Sequence, residues 1–88
     1  MLANDIRKGT AIRYKDGSTG EMLDNKKGVQ RNMSIEFYGR TDSGNQTLSD
    51  LHSAWNADTR NFERVTFTPA QQKQLDAIAA FDKMLGGL

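Results

Sequence analysis

Glycine-centred turn signals recur so closely through the first half of the chain that no helix of ordinary length fits between them: Lys8-Gly9, Asp16-Gly17, Gly20, Lys27-Gly28, Tyr38-Gly39 and Ser43-Gly44. Glycine, and the small polar residues beside it, favour turn conformations over regular repeats. What remains between the signals is strand length. Residues 10–14 alternate with Ile12 and Tyr14 on one side, and residues 30–38 alternate with Met33, Ile35 and Phe37 opposite Ser34, Glu36 and Tyr38. That is the period of a half-buried strand. Residues 20–23 form a shorter candidate, joined to the first strand by a hairpin at Asp16-Gly17. The three pieces predict a meander.

Beyond the meander, Leu48, Leu51 and Trp55 sit at helical spacing while the flanking loops suit a strand, and the strand is the preferred reading for residues 47–55. A turn cluster over residues 56–61 leads into a β-rich run at 62–67, with Val65 and Phe67 on a common face. At Thr68-Pro69-Ala70-Gln71 a helix start is written out in full: a threonine N-cap, proline at the first helical position, and glutamine three residues after the cap. The helix is expected over residues 68–85, ended by Gly86-Gly87. Its apolar side, Leu75, Ile78, Phe81 and Leu85, should cover the end of the sheet; the other uses of such a face are a homodimer contact or a partner groove.

With 88 residues the chain is expected to be a single domain, 1–88, around one core. It has no cysteine, so disulfides, thiolate nucleophiles and cysteine-ligated metals do not enter, and a reducing, cytoplasmic setting fits. No apolar run nears the roughly 18 residues of a membrane span. The net charge is +1, which gives no general attraction to phosphate. Residues 1–40 nevertheless hold eight basic side chains against five acidic ones.

Catalytic constellations do not form. His52 is the only histidine and lacks the partners of a metal site or triad. The pairs Asp58 with Glu63 and Asp76 with Asp82 are spaced as surface charges, and Gly17-Ser18-Thr19-Gly20 lacks the lysine of a phosphate loop. Neither catalytic residues nor a cofactor nor a metal is expected. Binding has better candidates: Lys26, Lys27 and Arg31 near one hairpin tip, suited to charge-assisted contacts, and Tyr14, Tyr38 and Trp55 as an aromatic patch for peptides or bases.

The segment Asn4-Asp5-Ile6-Arg7-Lys8-Gly9-Thr10, followed by an apolar strand, Asp16-Gly17, Gly20 and Lys26-Lys27-Gly28 before a long strand, resembles a KOW or translation-protein SH3-like barrel over residues 4–40. Over nearly its whole length the chain also resembles small proteins of unassigned function encoded by tailed bacteriophages. That likeness is carried by Asn4-Asp5-Ile6-Arg7-Lys8-Gly9, Asp24-Asn25-Lys26-Lys27-Gly28 with Arg31, and Val65-Thr66-Phe67-Thr68-Pro69-Ala70-Gln71. The resemblances imply a mainly β fold: an SH3-like barrel over 4–67, of about five short antiparallel strands, with a C-terminal helix. They also imply an accessory phage protein that binds a host or phage protein, with inhibition of a defence or gene-expression complex as one outcome. A KOW-like module contacting nucleic acid directly is the alternative. Because one histidine and scattered carboxylates do not make a structural metal site, chelator should leave the melting temperature unchanged in a thermal scan; a clear drop would reveal an oxygen-ligand site.

Overall fold

The structure, a computed structural model, describes residues 1–86. Six strands build one antiparallel sheet: β1 (Ala11–Tyr14), β2 (Thr19–Glu21), β3 (Gln30–Phe37), β4 (Arg40–Thr47), β5 (Leu51–Asn56) and β6 (Asn61–Arg64), in the order β4-β3-β2-β1-β5-β6. A 3-10 turn at Ala3–Asp5 precedes β1, a second at Leu48–Asp50 separates β4 from β5, and helix α1 spans Pro69–Gly86. The fold is therefore mainly β with one C-terminal helix. The sheet is open: β4 and β6 end it on either side. No helix among the described residues is long and apolar enough to cross a membrane.

The expected meander forms. Ile12 and Tyr14 are the buried side of β1, and Asp16-Gly17 turns the chain with Gly17 at φ 91° and the Gly17 N–H donating to the Tyr14 carbonyl at 3.0 Å. Tyr38 and Gly39, at φ 50° and 74°, make the doubly left-handed two-residue loop that matches strand twist. Ser43-Gly44, by contrast, is not a turn. It lies inside β4, where Gly44 is registered against Met33. β4 has no branched apolar residue to signal a strand; it is extended because all eight of its residues pair with β3. This is why the sheet has six strands and not about five. Residues 47–55 resolve into the 3-10 turn and β5, with Leu48 and Leu51 both buried.

The core runs between the strands and the N-terminal segment. Ile12, Tyr14, Met22, Met33, Leu48 and Ala54 meet Ala3 and Ile6, which are as deeply buried as the strand residues. The helix opens as its capping box requires: the Gln71 N–H donates to Thr68 Oγ1 at 3.2 Å and the Thr68 N–H donates to Gln71 Oε1 at 3.1 Å. Its expected role as a lid does not hold beyond two turns. Gln71 and Leu75 are buried and Ile78 half-buried, but Phe81 and Leu85 are 56% and 52% exposed. Ala3 and Ile6 already close that side of the core, so the second half of α1 has nothing apolar left to cover. Gly87 of the expected Gly86-Gly87 stop lies outside the described residues.

β1, β2 and β3 approach most tightly at Gly20, which stands opposite Ile12. A Cβ there would lie 1.8 Å from the Ser34 carbonyl oxygen and 3.2 Å from Tyr14 Cε2. Since the nearest atom is backbone, relief requires the strands to separate. Gly20→Ala should therefore lower stability by about 2 kcal/mol or more, read from the denaturant midpoint; an unchanged midpoint would contradict the close approach.

Candidate binding surface

The three cations read as one hairpin tip do not assemble. Arg31 is 0% exposed; its Nε donates to the Gly28 carbonyl at 3.0 Å and its Nη1 to the Ala3 carbonyl at 2.9 Å. Strand parity is the reason. Arg31 precedes Met33 by two residues on β3, so the alternation that turns Met33 inward turns Arg31 inward too. Burial pulls the guanidinium pKa down, with Asp24 opposing the shift. Lys27 Nζ donates to the Asn4 carbonyl at 2.7 Å, and Lys26 is exposed beside it, close enough to Asp24 to help hold that carboxylate charged. The link between β2 and β3 is thus an internal strut with two lysines on its outside.

The aromatic trio separates as well. Tyr14 is buried and its hydroxyl donates to the Ser34 carbonyl at 2.6 Å. Desolvation pushes its pKa up to about 12; Gln46 opposes this and Asp50 and Asp16 add to it. Trp55 lies elsewhere on the sheet, 39% exposed and edge-on to Phe62 at 5.3 Å, with the Arg13 guanidinium 4.3 Å above the Phe62 ring. Stacking and cation–π contact hold that trio together. Tyr38 stands at the tip of the β3–β4 loop, 96% exposed and edge-on to Phe37 at 5.8 Å. His52 is an exposed residue of β5.

What the fold does bring together is a groove between the β1–β2 turn and the β3–β4 hairpin. One part, about 240 Å³, is lined by Tyr14, Lys15, Asp16, Ile35, Gln46 and Asp50. A second, about 360 Å³, is lined by Asp16, Ser18, Ile35, Phe37 and Tyr38. Asp16 and Ile35 belong to both, so the two adjoin. Ile35 and Phe37 follow Met33 along one side of β3, and their exposure rises as the strand leaves the core. Asp16 is held below the usual carboxylate range because the Ser18 hydroxyl and amide both donate to it, so the groove carries a fixed negative charge. Its chemistry suits a short extended segment: an apolar side chain against Ile35 and Phe37, and a cation toward Asp16 and Asp50.

Of these groove residues, the sequence marked Tyr14 and Tyr38 and missed Phe37, Asp16 and Asp50. The signal for Phe37 was present in the Met33-Ile35-Phe37 alternation, which runs to the Tyr38-Gly39 loop and so past the reach of a small core. The two aspartates carry no such signal, because only the return of the chain through the second 3-10 turn sets Asp50 near Asp16. Compared with protein-family models, curated proteins and solved structures, the chain matches none.

Tyr14 is a built-in probe of this wall. Its pKa is raised in the folded chain, so its contribution to stability is complete below the unfolded value near 10 and is lost as pH rises toward about 12. In a Tyr38→Phe variant Tyr14 is the only tyrosine, and its phenolate absorbance should appear only near pH 12. Over the same interval the stability advantage over a Tyr38→Phe/Tyr14→Phe variant should shrink. Ionisation at pH 10 in the folded protein would show that the hydroxyl is wet.

Proposed function

We propose that the chain is a non-enzymatic binding module, an SH3-like barrel that docks a segment of a host or phage protein in the groove beneath the β3–β4 hairpin. The observation that carries this reading is the placement of Phe37 and Tyr38. Two large aromatic rings are held away from a core that has room for them only at its margin, beside an apolar floor and two carboxylates. Exposed aromatics of this kind are enriched at interfaces, where they supply contact area at low entropic cost. The barrel reading is supported by the chain path: a four-strand meander, a 3-10 turn, and a fifth strand returning to pair with β1. In the phage setting that the sequence resembles, the partner belongs to a host defence or gene-expression complex, or to the virion itself.

Direct nucleic-acid binding is the weaker reading, because its strongest cation, Arg31, is internal and Lys27 already has an acceptor. Affinity capture from host lysate with and without nuclease separates the two. The captured protein should persist after nuclease treatment. Its affinity for a Phe37→Ala/Tyr38→Ala variant should fall at least about 30-fold, corresponding to about 2 kcal/mol at a hot spot, while Lys26→Ala/Lys27→Ala changes little. A nuclease-sensitive partner lost on removal of the lysines would reverse the ranking.

A further inference from the structure

The two edges of the sheet are treated differently. At the end of β6 the N-terminal segment supplies a partner: the Met1 amino group donates to the Arg64 carbonyl at 2.8 Å, and just past the strand the Thr66 N–H donates to the Met1 carbonyl at 2.8 Å and the Ala3 N–H to the Thr66 carbonyl at 2.9 Å. Beyond β4, among the described residues, no strand follows. β4 is eight residues long and its pairing with β3 runs from Arg40 to Thr47 without a register shift. It carries neither the proline, the lysine nor the bulge with which proteins blunt an open edge.

The direction of its free groups follows from the loop. A two-residue loop makes Phe37 and Arg40 a hydrogen-bonded pair, and the Leu48 N–H donating to the Val29 carbonyl at 2.8 Å shows the same alternation at the far end of the ladder. Arg40, Asp42, Gly44 and Gln46 therefore point their backbone groups at β3. Thr41, Ser43, Asn45 and Thr47 point theirs outward.

We propose that this edge pairs with a second copy of the chain, antiparallel about Gly44. In that register Thr41 faces Thr47, Ser43 faces Asn45, and Gly44 faces its own counterpart across the two-fold axis. All four outward residues are engaged at once. No like charges are opposed, since Asp42 faces Gln46, and facing threonines, or serine facing asparagine, are favourable cross-strand neighbours. The dyad falls where there is no side chain, in a region where even an added Cβ would meet nothing within 4 Å. The net charge of +1 adds no repulsion between copies. A symmetric contact of this kind closes on itself and does not propagate. It uses the outward backbone of β4 and not the Phe37 and Tyr38 rings of the groove.

Because Gly44 and its counterpart form a non-hydrogen-bonded pair, their Cα atoms lie about 4.5 Å apart, within disulfide reach. The native chain has no cysteine to interfere. Under mild oxidation Gly44→Cys should convert to covalent dimer much faster than Thr41→Cys, whose counterpart in this register lies far along the strand. By sedimentation the wild-type mass should double with rising concentration. Asn45→Pro, which removes only an outward N–H, should remain monomeric with an unchanged circular dichroism spectrum, and Phe81→Ser on the exposed helix should still dimerise. The proposal is overturned if the wild type stays monomeric, if Gly44→Cys cross-links no faster than Thr41→Cys, or if Phe81→Ser abolishes the dimer. A folded Asn45→Pro that still dimerises overturns it too. If Asn45→Pro does not fold, the cysteine comparison decides.

Discussion

The guanidinium of Arg31 ties together the parts of the molecule that the sheet itself does not connect. It reaches from β3 to the Gly28 carbonyl behind it and the Ala3 carbonyl in front, and Ala3 belongs to the segment that closes the core. Asn4, next in the chain, accepts from Gln71 Nε2 at 2.8 Å through its side chain and from Lys27 through its carbonyl. The helix start, the β2–β3 link and the N-terminal turn thus converge within a few residues of one buried cation. Burying such a charge costs several kcal/mol. Hydrogen bonds from a charged donor return about 1.5–3 kcal/mol each, and Asp24 adds a favourable field while spending its own oxygens on the amides of Lys26 and Asn32. Among the described residues Nη2 finds no hydrogen-bond partner, which adds to the cost of burying the charge.

This arrangement explains where apolar surface is left over. A core closed by Ala3 and Ile6 needs only Gln71 and Leu75 from the helix, and everything from Ala79 to Gly86 is exposed. At the other end, β3 and β4 extend past the core and carry Phe37 and Tyr38 with them. Two apolar surfaces therefore arise from one cause: elements longer than the hydrophobic volume they serve. Both lie outside the core cluster that the strands and the N-terminal segment enclose.

The local readings that survived folding rest on backbone chemistry. The capping box, the Asp16-Gly17 turn and the alternation of β1 depend on neighbours a few residues away and appear as expected, whereas along β3 the alternation breaks where Ser34 is buried and Phe37 exposed. What the sequence hid depends on distant chain. Arg31 read as a loop cation because lysines precede it, although its parity with Met33 placed it inside. Residues 40–47 read as turn-rich because Ser43-Gly44 resembles a break, yet a polar strand needs no apolar signal when it pairs along its whole length with a strong neighbour. The groove was half legible: Tyr14 and Tyr38 stood out as aromatics, but their different fates follow from whether Ser34 or solvent receives the hydroxyl.

Tyr14 shows why one wall of that groove is part of the packing that stabilises the fold while the other is not. Its ring lies against Gly20, where an added Cβ would collide with β3, and its hydroxyl reaches the Ser34 carbonyl that this close approach brings near. The wall it forms is fixed by the packing of three strands, so changing it changes the fold. Phe37 and Tyr38 sit on a hairpin whose register is set by backbone pairing and a two-residue loop, neither of which uses the aromatic rings. Substitution there alters the surface offered to a partner and leaves the ladder intact. A rigid wall opposed by a permissive tip lets the sheet keep its register while the surface beside it changes.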